Sequence, residues 1–188
     1  MSQRKIIALT APSGSGKTTL ARRVLEAFPE MRFSVSVTTR PPRPGEKDGV
    51  HYHFISEEDF RRRIAAGDLL EYEEVYPGRF YGTLVSEVRE ATREHPVLLD
   101  IDVKGAENVK RIFGDDALVV FIRPPSLEVL AERLRRRNTE SEETLRHRLE
   151  RAAHELAYAD RFDAVVVNDD LDRATEETIR LIRSFLER

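Results

Sequence analysis

The sequence predicts an α/β fold, namely a doubly wound parallel sheet into which a small mixed, mostly antiparallel sheet is inserted. Two observations predict the parallel sheet: short continuous apolar runs, typical of strands covered on both faces, and helical stretches between them. The runs are 6–9, 97–101, 118–122 and 164–167, and the helical stretches are 104–113, 126–137, 141–159 and 171–187. The third observation is the different pattern of residues 33–83, which indicates the insertion.

Composition limits the possible partners and the compartment. The 188 residues include 34 acidic and 31 basic side chains, which gives a net charge of −3. This balance favours binding to neither nucleic acid nor membranes, and no apolar run is long enough to span a membrane. Cysteine is absent, so disulfides and thiolate metal sites are excluded. We therefore expect a cytoplasmic protein, either a monomer or a small homo-oligomer.

The first apolar run leads into a loop of small residues, and an amphipathic helix follows. In such a loop, backbone N–H groups converge on an anion, and the helix N-terminus adds partial positive charge. The predicted ATP-binding residues of this phosphate loop are Ala11, Pro12, Ser13, Gly14, Ser15, Gly16, Lys17, Thr18 and Thr19. Lys17 is expected to reach the β- and γ-phosphates, and the Thr18 hydroxyl to bind Mg²⁺. The pattern predicts a core of the P-loop NTPase type, although Ala11 stands where the usual motif has a glycine.

Two carboxylates follow the second core strand. Asp100 and Asp102 end the apolar run that begins at Val97. A carboxylate at the C-terminal end of a core strand beside a phosphate loop is the usual Walker-B position. We therefore predict Asp100 on the magnesium side, acting through water because Mg²⁺ retains much of its hydration shell. A helix cap or a surface pair is the alternative interpretation of these two residues.

The insertion has the pattern of a small sheet with one helix. Its predicted strands are 33–38, 51–55, 69–76 and 79–83, and its helix lies near 57–66. Arg40 and Arg43 flank two prolines that keep the chain extended, so their guanidinium groups can hold one phosphate between them. Solvated surface arginines are the alternative. An insertion of this kind is expected to bind a ligand that the core does not.

Short motifs recur in one register over almost the whole chain. They are residues 33–46 (FSVSVTTRPPRPGE), Tyr52, Glu71, Tyr81-Gly82-Thr83, Leu99-Asp100-Ile101-Asp102, Pro124-Pro125-Ser126 and Val167-Asn168-Asp169. Together with the phosphate loop, they resemble the guanylate kinase family. The resemblance implies an enzyme that transfers the γ-phosphoryl group of ATP–Mg²⁺ to GMP and dGMP.

The resemblance also implies which residues bind GMP. They are Ser36, Arg40, Arg43, Tyr52, Glu71, Tyr81, Thr83, Asp100 and Asp102. The arginines and tyrosines of this set would hold the phosphate, while Ser36, Glu71 and Asp102 would contact guanine. A carboxylate suits guanine because N1–H and the 2-amino group are adjacent donors, which adenine lacks. An outward-facing strand carboxylate is the alternative for Glu71, and Thr83 stands where the family often has serine.

By the same resemblance, the charge-rich segment 126–155 is a mobile lid over the transferring phosphoryl group. The implied catalytic cations are Lys17, Arg40, Arg133, Arg137 and Arg148, and Asn168 is implied to contact adenine. From the residues alone, the segment is also typical of two solvated helices with surface ion pairs, and Asn168 of a turn. Arg135, Arg136, Arg146 and Arg151 have no counterpart in the family pattern, so we expect them on the surface. The implied division is a core (1–32, 84–125 and 156–188), a GMP-binding subdomain (33–83) and the lid.

The attacking oxygen of GMP is already anionic, so the implied reaction needs no general base, only positioning and charge neutralisation. Two other functions stay open. One is a non-catalytic guanylate-kinase-like binding module, which typically lacks a working phosphate loop. The other is a kinase for a phosphorylated sugar, which would not need Ser36, Glu71 and Asp102 together.

Overall fold

The structure is a computed structural model that describes residues 5–136 and 142–188. The strands are β1 (Ile6–Thr10), β2 (Arg32–Phe33), β3 (Val37–Thr38), β4 (His53–Phe54), β5 (Leu69–Tyr76), β6 (Arg79–Leu84), β7 (Val97–Ile101), β8 (Ala117–Arg123) and β9 (Ala164–Val167). The helices are α1 (Lys17–Ala27), α2 (Glu57–Ala66), α3 (Val85–Ala91), α4 (Val103–Phe113), α5 (Leu127–Arg135), α6 (Glu142–Leu156) and α7 (Leu171–Leu186).

The core is a parallel sheet with the strand order β2-β7-β1-β8-β9. Successive residues of β1 pack on opposite faces, Ile7 and Leu9 with α1 and α7, and Ile6 and Ala8 with α3 and α4. Helices on both faces explain why the strands are continuously apolar. Because β1 lies between β7 and β8, the loops after these strands meet at one edge of the sheet, where ligands of such folds bind. The prediction of a doubly wound core is confirmed.

The second sheet, which we call the inserted sheet, has the strand order β4-β3-β6-β5. Strands β3 and β4 are parallel, and the other pairs are antiparallel. Helix α2 covers one face, where Phe60 packs with Val37 and Phe80. In the β5–β6 hairpin, Glu71 lies opposite Thr83. The mixed sheet and its helix are as predicted.

Two local features differ from the prediction. The stretch 33–38 is two strands: Phe33 pairs with Leu98 of the core sheet, whereas Val37 pairs with Gly82 of the inserted sheet. Helix α3 was not predicted. Alternation of apolar and polar residues predicts an extended chain but not the strand with which it pairs. Tertiary packing determines that pairing.

Helices α5 and α6 form a pair beside the core. Leu130 and Leu134 of α5 pack with Leu145 and Ala152 of α6. Arg137, one of the predicted lid arginines, lies outside the described residues. Within residues 5–136 and 142–188, no helix combines the length and the apolar character needed to cross a bilayer.

Candidate active site

The phosphate loop lines a cavity of about 590 Å³ at the edge of the core sheet. Gly14 and Gly16 have φ angles of +93° and +89°, which glycine adopts without strain. At Gly16 a Cβ atom would also come within 2.4 Å of the Asn168 amide nitrogen. Both the backbone conformation and the available space therefore require glycine at this position. The Asn168 amide donates a hydrogen bond of 2.7 Å to the carbonyl of Ser15, which anchors the loop to the end of β9.

Lys17 and Thr18 begin α1 and face the end of β7. The Lys17 ammonium lies 2.6 Å from Asp100 Oδ1 and donates to the carbonyl of Ile101 at 2.7 Å. The Thr18 hydroxyl lies 3.4 Å from Asp100 Oδ2. Thus the three side chains that the sequence predicted around ATP–Mg²⁺ lie together. A hydroxyl and a carboxylate side by side are the oxygen donors that Mg²⁺ prefers, so these residues fit the metal.

Glu71 is a buried carboxylate between the inserted sheet and α4. Its Oε1 accepts a hydrogen bond of 2.7 Å from the Thr83 hydroxyl. A Cβ atom on Gly105 would lie 2.5 Å from Glu71 Cγ, so the first turn of α4 packs directly against Glu71. Asp102 caps this turn, accepting from the Gly105 N–H at 2.7 Å. The pKa of Glu71 is raised to about 7, mainly by burial; the Thr83 hydrogen bond lowers it, and the negative charge of Asp102 raises it.

Arg40 is the centre of a second cluster. Its guanidinium makes two hydrogen bonds of 2.6 Å to the Glu46 carboxylate. It also donates to the Tyr81 hydroxyl at 3.1 Å, and its Cζ lies 5.0 Å from the centre of the Tyr52 ring. The Arg40 residue is only 6% exposed. Three of the four predicted phosphate-binding side chains are therefore adjacent; Arg43 is exposed and joins the cluster through its backbone N–H, 2.7 Å from Glu46.

Sequence reasoning gave Glu46 no role, although it ends the motif 33–46. Its hydrogen bonds to Arg40, and a weaker one from the Arg43 backbone, lower the pKa of Glu46 to about 2. The carboxylate therefore stays ionised at any physiological pH. The Pro-Gly turn before Glu46 was the available signal, because such a turn can bring Glu46 back toward Arg40.

Of the remaining predicted residues, Arg148 lines the cavity. Arg133 Nη2 donates to the carbonyl of Asn168 at 2.9 Å. Arg148 Nη1 lies 3.4 Å from the Ser13 hydroxyl of the phosphate loop. Asn168 is buried against that loop, and its predicted contact with adenine stays a prediction. Ser36 directly precedes β3, and its carbonyl accepts from the His53 N–H at 2.9 Å.

Arg151, which we expected on the surface, is half exposed but also lines the cavity. It forms ion pairs with Glu73 of β5 and with Glu155, 8% exposed, of its own helix. The signal was the spacing: residues 148, 151 and 155 are three and four positions apart, which places them on one face of a helix. Charge density alone could not distinguish that face from the solvated one.

Comparison with known proteins agrees with this geometry. The family model described as guanylate kinase matches residues 3–185. The guanylate kinase of Salinibacter ruber is 66% identical over 186 residues, covering 99% of both chains. That of Chlorobium luteolum is 55% identical over 183 residues, covering 97% of this chain and 92% of the relative.

A solved structure agrees as well. The crystal structure of guanylate kinase from Anaplasma phagocytophilum superposes with a TM-score of 0.76 at 32% identity, covering 100% of this chain and 88% of that one. Matches of this extent, with a phosphate loop and a buried carboxylate at one cleft, show that the chain belongs to the guanylate kinase family.

Proposed function

We propose that this protein catalyses the reversible transfer of the γ-phosphoryl group of ATP to GMP, and also to dGMP. One observation carries the proposal: Asp102 lines the phosphate-loop cavity and also lies beside the buried Glu71. A site for a phosphate chain is thus continuous with a carboxylate that can accept two adjacent N–H groups. Relatives named guanylate kinase over nearly the full chain support the same reaction.

The phosphate loop binds ATP. Backbone N–H groups of residues 11–19 receive the phosphates, and Lys17 neutralises the β- and γ-oxygens. The position of Arg148 beside Ser13 supports its role as a further cation at the transferring group. Arg133 and Arg137 join it when the segment 126–155 closes, and Asn168 contacts adenine. Thr18 and Asp100 are the residues that would hold Mg²⁺, whose charge offsets that of the phosphates.

The inserted sheet binds GMP. The ionised Glu71 accepts N1–H and the 2-amino group of guanine, with Thr83, Ser36 and Asp102 around the base. Arg40, Arg43, Tyr52 and Tyr81 hold the GMP phosphate. Within the described residues, the contacts of Arg40 to Tyr81, Pro41 and Glu46 use four of its five N–H groups. This support holds the guanidinium in one orientation before GMP arrives.

Catalysis then consists of positioning and charge neutralisation. The GMP oxygen that attacks is already anionic, so no side chain has to remove a proton. Closure of the subdomain 33–83 and the lid 126–155 over the core aligns the two phosphates and excludes water, which would otherwise accept the phosphoryl group.

Neither alternative function has comparable support. A non-catalytic binding module has no need of Lys17 and Thr18 packed against Asp100. A kinase for a phosphorylated sugar has no use for a buried carboxylate next to Thr83 and Asp102. The relatives reported above carry the name guanylate kinase.

A coupled assay of ADP release tests the proposal. We expect rapid turnover with GMP, slower turnover with dGMP, and rates at least about 100-fold lower with AMP, UMP and ribose 5-phosphate, because Glu71 meets unsuitable partners on those compounds. Equal rates with AMP and GMP, or ADP release that does not depend on GMP, would refute it.

A further inference from the structure

One face of α6 lies against the phosphate-loop cavity, and the other packs on α5. His147, Arg148, Arg151 and Glu155 line the cavity. Leu145, Leu149 and Ala152 instead pack with α5. Arg148 and Arg151 are three positions apart, so they lie on the same side of the helix and are displaced together when the helix moves.

Arg151 connects this face to the inserted sheet. Its two terminal nitrogens bind the two oxygens of Glu73, with Nη2 2.9 Å from Oε2. Its Nε donates to Glu155 at 2.8 Å. Burial raises the pKa of Glu155, and the charge of Arg151 counteracts that rise. We call this arrangement of Arg151, Glu73 and Glu155 the Arg151 bridge.

Glu73 occupies a position that makes the bridge relevant to the nucleotide site. It lies two residues beyond Glu71 on β5, so both side chains are on the same face of the strand. It is paired with Tyr81 across the hairpin, as Glu71 is with Thr83. The strand segment that carries the base-reading carboxylate is therefore attached through one guanidinium to the helix that carries Arg148.

We propose that Arg151 is a positioning residue for phosphoryl transfer. It holds α6 against β5, and this places Arg148 correctly relative to the GMP phosphate. The inference rests on the proposed function. A bidentate guanidinium–carboxylate pair sets both distance and orientation, which a single lysine contact does not. The bridge lines the cavity wall without belonging to the phosphate loop or to the base-reading cluster.

The test is a double-mutant cycle in GMP-dependent ADP release. Arg151→Ala should lower kcat about 20-fold, because small displacements of reacting groups cost one to two orders of magnitude in rate. The KM values for ATP and GMP should stay within about threefold, since a positioning residue affects the alignment of the bound nucleotides more than their binding. The kcat of Arg151→Lys should lie between those of wild type and Arg151→Ala, and Glu73→Gln should lower kcat about 5-fold. The double variant should be no slower than Arg151→Ala alone, because the pair acts as a unit.

Arg146→Ala is the matched control. Arg146 lies on the same helix, 3.9 Å from Glu150, and both side chains are more than 60% exposed. The kcat of Arg146→Ala should stay within about twofold of that of wild type. If Arg151 instead touched the phosphates itself, Glu73→Gln would leave kcat unchanged or raise it. That result, like strictly additive effects of the two substitutions, would overturn the proposal.

Hydrogen exchange separates the bridge from the proposed function. With no nucleotide present, Glu73→Gln and Arg151→Ala should each accelerate amide exchange in the last two turns of α6, and Arg146→Ala should not. Faster exchange together with an inactive wild type would refute the kinase function but retain the bridge as a tether. Unchanged exchange and unchanged kcat in an active enzyme would refute the bridge alone.

Discussion

The phosphate loop and the inserted sheet form their halves of the site in different ways. The loop is one contiguous stretch, and its proposed binding groups are backbone N–H groups held by two glycines with positive φ and by Asn168. The inserted sheet instead assembles side chains from strands and loops well separated in the sequence. It holds buried charges there, namely Arg40 against Glu46 and Glu71 beside Asp102.

The two halves should therefore fail in different ways. A backbone site depends on the conformation of the chain. That conformation does not change with pH, and at Gly16 only glycine adopts it without strain. Burial of charged side chains costs desolvation free energy, so a site built from them responds to pH and to the loss of a single charge.

Lys17→Met removes the one side-chain charge that the phosphate loop contributes. We expect kcat to fall by about 10³-fold, since a preorganised charge at the transferring group is commonly worth that much. The melting temperature should stay close to that of wild type, because the backbone of the loop is unchanged. Steady-state kinetics with saturating GMP measures the effect. Retention of more than half of the wild-type kcat would show that the loop does not bind the transferring phosphate.

Glu71→Gln tests the inserted sheet with a side chain of the same size. The new NH₂ group would face a donor on guanine, and one charged hydrogen bond is lost. We expect kcat/KM for GMP to fall by about 10²-fold. Activity on AMP should fall much less or rise. The quantity to measure is the GMP/AMP ratio of kcat/KM; a ratio within threefold of wild type in a folded variant would exclude Glu71 from base reading.

Glu46→Gln tests whether Glu46 orients Arg40 or competes with the GMP phosphate for it. We expect orientation, so KM for GMP should rise by about 10- to 30-fold, with a smaller change in kcat. Glu57→Gln is the matched control, because Glu57 pairs with Arg61 at 2.7 Å where both side chains are about half exposed. A lower KM in Glu46→Gln would mean that Glu46 competes with the phosphate.

The raised pKa of Glu71 also predicts how stability depends on pH. The folded value of about 7 lies above the ordinary value of 4.5. The protonated carboxyl therefore stabilises the fold fully below pH 4.5, and this contribution is lost as pH rises through 7. Relative to Glu71→Gln, wild type should lose about 1 kcal/mol of unfolding free energy between pH 6 and pH 8.

Urea melts of both proteins at the two pH values measure this difference, and groups common to both cancel. Parallel pH profiles would show that Glu71 ionises without a burial penalty. GMP should stabilise wild type more at pH 8 than at pH 6, since guanine needs the ionised carboxylate. Glu71→Gln should show a smaller dependence, because only the second ionisation of the GMP phosphate, with a pKa of about 6, then contributes.

Structural features that arise from residues close together in the chain could be predicted from the sequence alone. The phosphate loop is contiguous, the amphipathic helices have a regular period, and the core strands are apolar because both faces are covered. The family motifs implied the site residues, and of these Lys17, Thr18 and Asp100 lie together.

Features that arise from contacts between segments distant in the sequence became apparent only in the tertiary structure. Residues 33–38 are divided between two sheets because different strands compete for them. Arg151 is a bridge because β5 brings Glu73 within reach. The pKa of Glu71 is raised because α4 covers it. Partner choice and desolvation arise from three-dimensional packing, and neither leaves a periodic signal in the sequence.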